Sequence, residues 1–279
     1  MSAKGNISDF LPFCTIRIET KCNDGAIGIG TGFYYDFDDN GLKVPAIITN
    51  KHVIEDATIG VLRFHGSIIE DGKHRLSTMQ YEVELDDFQS HWIMHPAEEV
   101  DLCALPLAEL LADFKEADKS IFYIPITKDL IWSDEKLQEF NTIESVIMIG
   151  YPIGLWDDVN NLPIIRKGIT ATHPANAFCG KQEGTADIAC YPGSSGSPVF
   201  TFNESGTYFD RKGGITTGLR FAFLGVTYAV AIYDAQGVAN FRKIPTRSSL
   251  NGRFEIPTNL ALYIKAQEIE AMAMQILKK

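Results

Sequence analysis

"CYPGSSGSPVF", Cys190 to Phe200, crowds two glycines among three serines and then turns into strand-forming residues. Pro-Gly-Ser-Ser-Gly is ordinary turn chemistry, because glycine reaches positive φ without steric cost and serine can bond its own backbone. The same residues permit a sharper reading. Gly193 and Gly196 let the backbone curl until successive N–H groups converge beside the Ser195 hydroxyl, which is an oxyanion site next to a nucleophile. A serine holds its proton tightly at neutral pH, so this reading requires a base elsewhere in the chain and a group that orients it.

Six histidines are available as the base. His65, His74 and His91 lie in polar or turn-like contexts and read as surface or edge residues. His95 in "MHPAEE" and His173 in "TATHPAN" each precede a proline that disfavours helix, and read as structural. His52 differs: "VPAIITNKHVI" runs an apolar strand into Thr-Asn-Lys-His, so the imidazole emerges at the strand's end beside a core. For the orienting acid, Asp101 in "EEVDLCALPL" heads a strongly apolar strand. A buried carboxylate is costly unless bonded, so an acid there implies a waiting partner.

Around these residues the first hundred positions read as short strands, "FCTIRIET", "IGIGTGFYYDF", "VPAIITN", "TIGVLRF", "MQYEVEL" and "DLCALPL", separated by turn signals such as "NDG" and "DDNG". This is the pattern of an all-β barrel or sandwich. Residues 107–142 change character: "LAELLADFKEADKS" and "SDEKLQEF" are helical in spacing, with Ser133 as an N-cap, and read as a connector. Strand signals resume from 143 to 257. Residues 258–279, opening at Thr258, read as an amphipathic C-terminal helix. Two long polar loops, 203–219 and 234–252, stand out in the second half as either functional or disordered.

The composition bounds the partners. With 25 basic and 36 acidic residues the net charge is −11, and the basic residues are scattered, which argues against nucleic acid and against an anionic membrane surface. No apolar stretch approaches the ~18 residues of a bilayer span, and the first residues show no secretory signal, so a cytoplasmic protein is expected. The five cysteines, Cys14, Cys22, Cys103, Cys179 and Cys190, contain no C-x-x-C pair, so neither a zinc site nor a thioredoxin-like motif is expected. They read as buried thiols, although Cys14 with Cys22, or Cys179 with Cys190, could bridge under oxidising conditions.

His52, Asp101 and Ser195 occur in that order, with histidine and acid in the first β unit and serine in the second. Together with "GTGFYY", "IITNKHVI", "VDLCALPL", "IGYPIG", "RKGITAT", "GSSGSPVF" and "LGVTYAV", they resemble the chymotrypsin-fold, trypsin-like serine proteases, in their bacterial, HtrA-like branch without a PDZ domain. "GSSGSP" also resembles the nucleophile turn of glutamyl endopeptidases. The resemblance implies two six-stranded antiparallel β-barrels, residues 1–106 and 143–257, joined by the connector and followed by the helix. It implies a serine endopeptidase acting on protein or peptide substrates through an acyl-enzyme, with no cofactor and no metal. His52, Asp101 and Ser195 would form the triad, and the backbone N–H groups of Gly193 and Ser195 the oxyanion hole.

Two departures from that family pattern matter. Ser194 stands where trypsin-like zymogens carry the aspartate that pairs with a newly cut N-terminus, so other contacts, or a regulatory protein partner, must order the oxyanion loop. The resemblance puts the specificity-pocket base near Ala189 and a wall near Thr227, Tyr228 and Ala229. No acid lies at that base and no histidine in "GVTYAV", so a small or uncharged residue is expected before the scissile bond. The rival readings are a catalytically silent protease-fold binding module and an esterase.

Overall fold

The computed structural model describes residues 6–39, 41–203, 205–233, 239–244 and 256–277. Its first unit contains β1 (Thr15–Cys22), β2 (Ile27–Asp39), β3 (Leu42–Thr49), β4 (Ala57–Glu70), β5 (Lys73–Asp86), β6 (Ile93–Met94), β7 (Cys103–Pro106), β8 (Ile121–Phe122) and β9 (Ile126–Thr127). They form one sheet in the order β5-β4-β1-β2-β3-β7-β6, with β8 on β4 and β9 parallel to β2. Strand alternation explains the packing: in β1 Ile16 and Ile18 point inward while Arg17 and Glu19 pair at 2.8 Å on the outer face.

The second unit contains β10 (Ser145–Gly150), β11 (Ile164–Thr170), β12 (Glu183–Asp187), β13 (Pro198–Phe202), β14 (Thr207–Phe209), β15 (Ile215–Thr217), β16 (Phe221–Tyr233), β17 (Ala239–Lys243) and β18 (Ile256–Lys265). β13, β10, β11, β12, β18 and β16 pair in sequence, and β13 returns to β16, closing a six-stranded antiparallel barrel. β16 is long enough to hold two partners on one edge: β13 along Phe221–Val226 and β17 along Ala229–Tyr233.

The two units share an apolar core. Phe33, Ile48, Leu102 and Ala104 from the first pack in one cluster with Ile147, Phe200, Phe223 and Val226 from the second. Ile269, Met272 and Ile276, from the helical turns Ala266–Met272 and Ala273–Ile276, complete that cluster. The polar ends of β3 and β13 come together at the rim of this interface, and the site lies there.

Several expectations need correction. Only the second unit closes as a six-stranded barrel; the first is a larger sheet whose β5 and β6 ends do not pair with each other among the described residues. The connector is helical over Ala108–Glu116 and Asp134–Leu137, where Ser133 Oγ accepts from Lys136 N at 3.3 Å, but β8 and β9 between them join the first sheet. The C-terminal helix begins at Ala266, not Thr258. Residues 258–265 belong to β18, because Ala261 through Ile264 is an uninterrupted buried run between β12 and β16 and has no polar face to offer as a helix.

The loop 203–219 carries the β14–β15 hairpin, and 234–252 carries β17. "GRFEIP" lies outside the described residues except at its last two positions. His65 is buried rather than on the surface, its ring 5.1 Å from Phe13, and loss of solvent lowers its pKa. None of the five cysteines forms a disulfide; four are buried and Cys179 is exposed. No helix among the described residues is long and apolar enough to cross a membrane.

Candidate active site

The site is assembled by three chain segments, each ended by a local rule. β3 stops at Thr49 because Asn50, fully buried, turns the chain into the single helical turn Lys51–Ile54. Asn50 Nδ2 donates to Asp101 O at 2.8 Å, which ties that turn to the segment before β7. His52 N then donates to Asp101 Oδ1 at 3.1 Å, and His52 Nδ1 lies 2.6 Å from Asp101 Oδ2. The carboxylate thus holds both the backbone and the ring of the same histidine. His52 Nε2, on the other side of the ring, lies 2.8 Å from Ser195 Oγ.

This geometry selects a tautomer. An ionised Asp101 only accepts, so Nδ1 carries the ring proton and Nε2 is left as an acceptor for the Ser195 hydroxyl. Asp101 is 4 % exposed. Burial opposes its ionisation, but the hydrogen bond from His52, the electrostatic attraction of that ring and the Lys243 ammonium 3.3 Å away outweigh it and hold the carboxyl below its ordinary value. The arrangement is a base with its tautomer set, aimed at a buried hydroxyl.

The nucleophile turn is held from both units. Gly193 and Gly196 both have positive φ, +89° and +84°. A Cβ at Gly193 would run into Tyr151 O, and one at Gly196 into Thr31 O, so close approach and conformation both demand glycine. Within the turn Ser194 N donates to Tyr191 O at 2.9 Å and Ser197 N to Ser194 O at 3.1 Å. Gly196 N donates to Thr227 O, and Thr227 N to Ser197 O, which staples the turn to β16.

Thr31, in the "GTG" of β2, is the residue that sequence reasoning missed as a site member. Its N–H donates to Ser195 O at 2.8 Å and its Oγ1 to Gly193 O at 2.9 Å. The same Oγ1 accepts from Tyr151 N at 3.1 Å, and Thr31 O accepts from Thr49 Oγ1 at 2.7 Å. This fully buried side chain fastens the turn of the second unit to β2 and β3 of the first. With serine at position 194 there is no carboxylate for an N-terminal ion pair. Ordering of the loop falls instead to Thr31 and to the bond that Ser194 N donates to Tyr191 O.

The two amides proposed for an oxyanion follow from where the neighbouring carbonyls go. In a trans peptide the N–H points opposite the C=O. Pro192 O accepts from Ile153 N, and Ser194 O from Ser197 N, so the Gly193 and Ser195 amides are turned away from those anchors. Ile153 is a β-branched residue at φ +54°, with its side chain mostly in solvent. That backbone conformation is strained. What it secures is the amide that meets Pro192 O, and "IGYPIG" gave no sign of this beyond its Pro-Ile-Gly turn.

The residues expected to line the specificity pocket divide. Thr227 is fully buried, with Oγ1 3.3 Å from Met148 Sδ, and serves the turn rather than an open wall. Tyr228 is half-buried; burial and a bond to Glu183 raise its phenol pKa. Tyr228 O and Ala229 face β17 and the residue that follows it. Ala189 is half-buried in the segment before the turn, with no polar contact to the triad. Among the remaining histidines, His95 and His173 are buried with their ring nitrogens on backbone groups, His95 Nε2 3.1 Å from Glu268 O and His173 Nε2 3.0 Å from Phe140 O. His74 Nδ1 lies 2.8 Å from Ser67 Oγ, and His91 donates to Asp86 O.

Residues 30–207 match the family model described as "Trypsin-like peptidase domain", well over half of the 279 residues. No curated protein matches the chain. Among solved structures it is similar to an HtrA-type protease, AlgW, with a tripeptide, at 14% identity and a TM-score of 0.45, covering 98% of this chain and 62% of that one. It is similar to the scabies mite inactivated protease paralogue S-I1, at 13% identity and TM-score 0.49 over 99% and 98% of the two chains. It is also similar to a thermostable serine protease, AL20, from an extremophilic microorganism, at 10% identity and TM-score 0.44 over 96% and 99%. The chain thus spans less than two thirds of the length of the HtrA-type protease it matches.

Proposed function

The chain belongs to the trypsin-like peptidase family, and from that premise we propose that it is a serine endopeptidase that cuts protein or peptide substrates. The observation that carries the reading is His52 bridging two partners at bonding distance, Asp101 at 2.6 Å and Ser195 at 2.8 Å. In the reaction, Ser195 Oγ attacks the carbonyl carbon of the scissile peptide while its proton passes to His52 Nε2. The ring, now doubly protonated, is stabilised by Asp101. The negative charge that develops on the carbonyl oxygen is received by the Gly193 and Ser195 amides. Collapse breaks the C–N bond as Nε2 delivers its proton to the departing amine, leaving an acyl ester on Ser195. Water, deprotonated by the same nitrogen, then hydrolyses that ester.

No step calls on a metal or a cofactor. A cytoplasmic location is part of the same proposal and rests on sequence composition alone. The test compares wild type with Ser195→Ala for new peptide termini in a proteome digest, alongside labelling by a fluorophosphonate. Ser195→Ala is expected to lose all cutting and all labelling while melting as a folded protein. Equal cutting by the two proteins would refute the assignment. Labelling without any peptide cleavage would move the reading to ester hydrolysis, and an unlabelled protein with an accessible site would make it a binding module.

A further inference from the structure

The edge of β16 beyond Val226 faces the nucleophile and carries a strand of this same chain. β17 pairs antiparallel with it, Ala229 with Lys243 and Val230 with Arg242. The ladder continues one residue past the strand: Ile244 N donates to Tyr228 O at 3.0 Å. In an antiparallel ladder, bonded pairs recur at every second residue, so Tyr228–Ile244 and Val230–Arg242 are the bonded pairs next to the nucleophile, with Ile232–Asn240 beyond them. At the end of this ladder Ile244 O lies 3.3 Å from Ser195 Oγ. The single hydroxyl proton goes to the nearer acceptor, His52 Nε2 at 2.8 Å, and the Ile244 carbonyl stands directly beside the nucleophile.

The side chains agree with the backbone. Ile244 is wholly buried and joins the apolar cluster of the second barrel, which includes Ile188, Cys190 and Val230. Ile188 and Cys190 flank Ala189, the position expected at the pocket base. Lys243, with its side chain largely in solvent, sets its ammonium 3.3 Å from Asp101 Oδ2, over the triad. Phe241 lays its ring edge-on to Phe178, 5.8 Å between centroids.

From this geometry we infer that residues 241–244 are a resident occupant of the substrate cleft, with Ile244 in the primary pocket, and that the preferred substrates carry a branched aliphatic residue before the scissile bond. The inference rests on the endopeptidase reading of the same site. A side chain of that class suits the pocket because the side chains that Ile244 packs among are apolar. Occupancy is favoured by tethering, which presents the strand at an effective concentration on the order of mM. In sequence the bond after Ile244 is to Pro245, a tertiary amide in which a ring carbon replaces the amide hydrogen, which makes it a poor bond to cut. The resident strand is therefore held and turned over slowly, and substrates bind when it leaves.

The test uses the full-length protein, a fluorophosphonate and a peptide library, with wild type, Ile244→Gly, Arg242→Pro and Ser195→Ala side by side. Ile244→Gly empties the pocket. Should that variant fail to fold, Arg242→Pro keeps the question open to an answer: it removes one ladder N–H from a residue whose side chain is exposed. Both variants are expected to label and to cut at least tenfold faster than wild type, with Ile, Val or Leu leading the residues before the cut. If wild type and Arg242→Pro label and cut at equal rates, the resident-strand inference falls and the endopeptidase reading stands. A profile led by Lys, Arg or Glu overturns the pocket assignment alone. If none of the four proteins labels or cuts, the endopeptidase reading falls and takes the inference with it.

Discussion

Replacing Thr31 by valine removes one oxygen atom and nearly nothing else, because the two side chains have the same shape. That oxygen is fully buried and sits in three hydrogen bonds: it donates to Gly193 O at 2.9 Å and accepts from Tyr151 N at 3.1 Å and Ser197 Oγ at 3.3 Å. Two good neutral bonds contribute about 1 kcal/mol each, and stranding the Tyr151 N–H in a dry site adds a further ~1–3 kcal/mol, so the loss of stability is about 3–5 kcal/mol. At roughly 2–4 °C per kcal/mol for a chain of this size, the melting temperature should fall by ~6–20 °C.

The rate consequence is separable. Gly193 loses the anchor on its carbonyl, and the peptide that carries its amide is then held only through Pro192 O. The ceiling on the damage is the loss of one oxyanion donor, about 10²–10³ in kcat. An effect near 10² on kcat with KM within about threefold is expected, measured at 20 °C on a peptide substrate in the Arg242→Pro background, so that the resident strand does not mask it. Thr31→Ser keeps the hydroxyl and loses only a buried methyl, which costs about 1 kcal/mol and leaves kcat within about threefold. If valine and serine at position 31 give equal kcat values, Thr31 is a packing residue and its positioning role is wrong.

Asp101→Asn keeps the shape but donates where His52 needs an acceptor, so the ring takes the wrong tautomer and kcat should drop about 10⁴-fold. The same variant tests a stability effect: the folded carboxyl titrates below its unfolded value, so its contribution is present above about pH 4 and is lost as pH falls through the folded pKa. Acid denaturation curves of wild type and Asp101→Asn should therefore converge as pH falls below the unfolded value and through the depressed folded one, and a constant gap would contradict the depressed pKa. Gly196→Ala puts a methyl on Thr31 O at a positive φ, and should cost more than ~3 kcal/mol in urea unfolding together with all fluorophosphonate labelling. Ile153→Gly relieves a strained backbone and should leave stability and rate close to wild type. Ile153→Pro deletes the N–H that meets Pro192 O and should lower kcat at least tenfold; equal rates for the two would show that this amide does not orient Gly193.

The triad was legible because each member breaks a local rule in the sequence. An apolar run that ends in Asn-Lys-His must surface beside a core, and an aspartate heading "LCALPL" must be paired or destabilise the strand. The glycines around Ser195 likewise declare a backbone that other residues would not accept. Thr31 breaks no such rule. A threonine within a strand is ordinary, and its partners, Gly193 and Tyr151, lie 162 and 120 positions away. The "TNLALYIK" segment misled for a related reason: a short continuous apolar run has the same composition whether it is one face of a helix or a strand covered on both sides.

Residues 241–244 were harder still to read, and the difficulty is physical. "FRKI" alternates nothing, carries two cations and holds a single aliphatic residue ahead of a proline, so by composition it is surface loop. Its order comes from what it meets: an open edge of β16, an apolar cluster that takes the Ile244 side chain, and a carboxylate within reach of Lys243. Each of those features is also what a peptide substrate would require of the cleft. A segment whose only structural information is complementary to a binding site looks disordered when read alone, just as a substrate does, and it becomes a strand only against the surface that selects it.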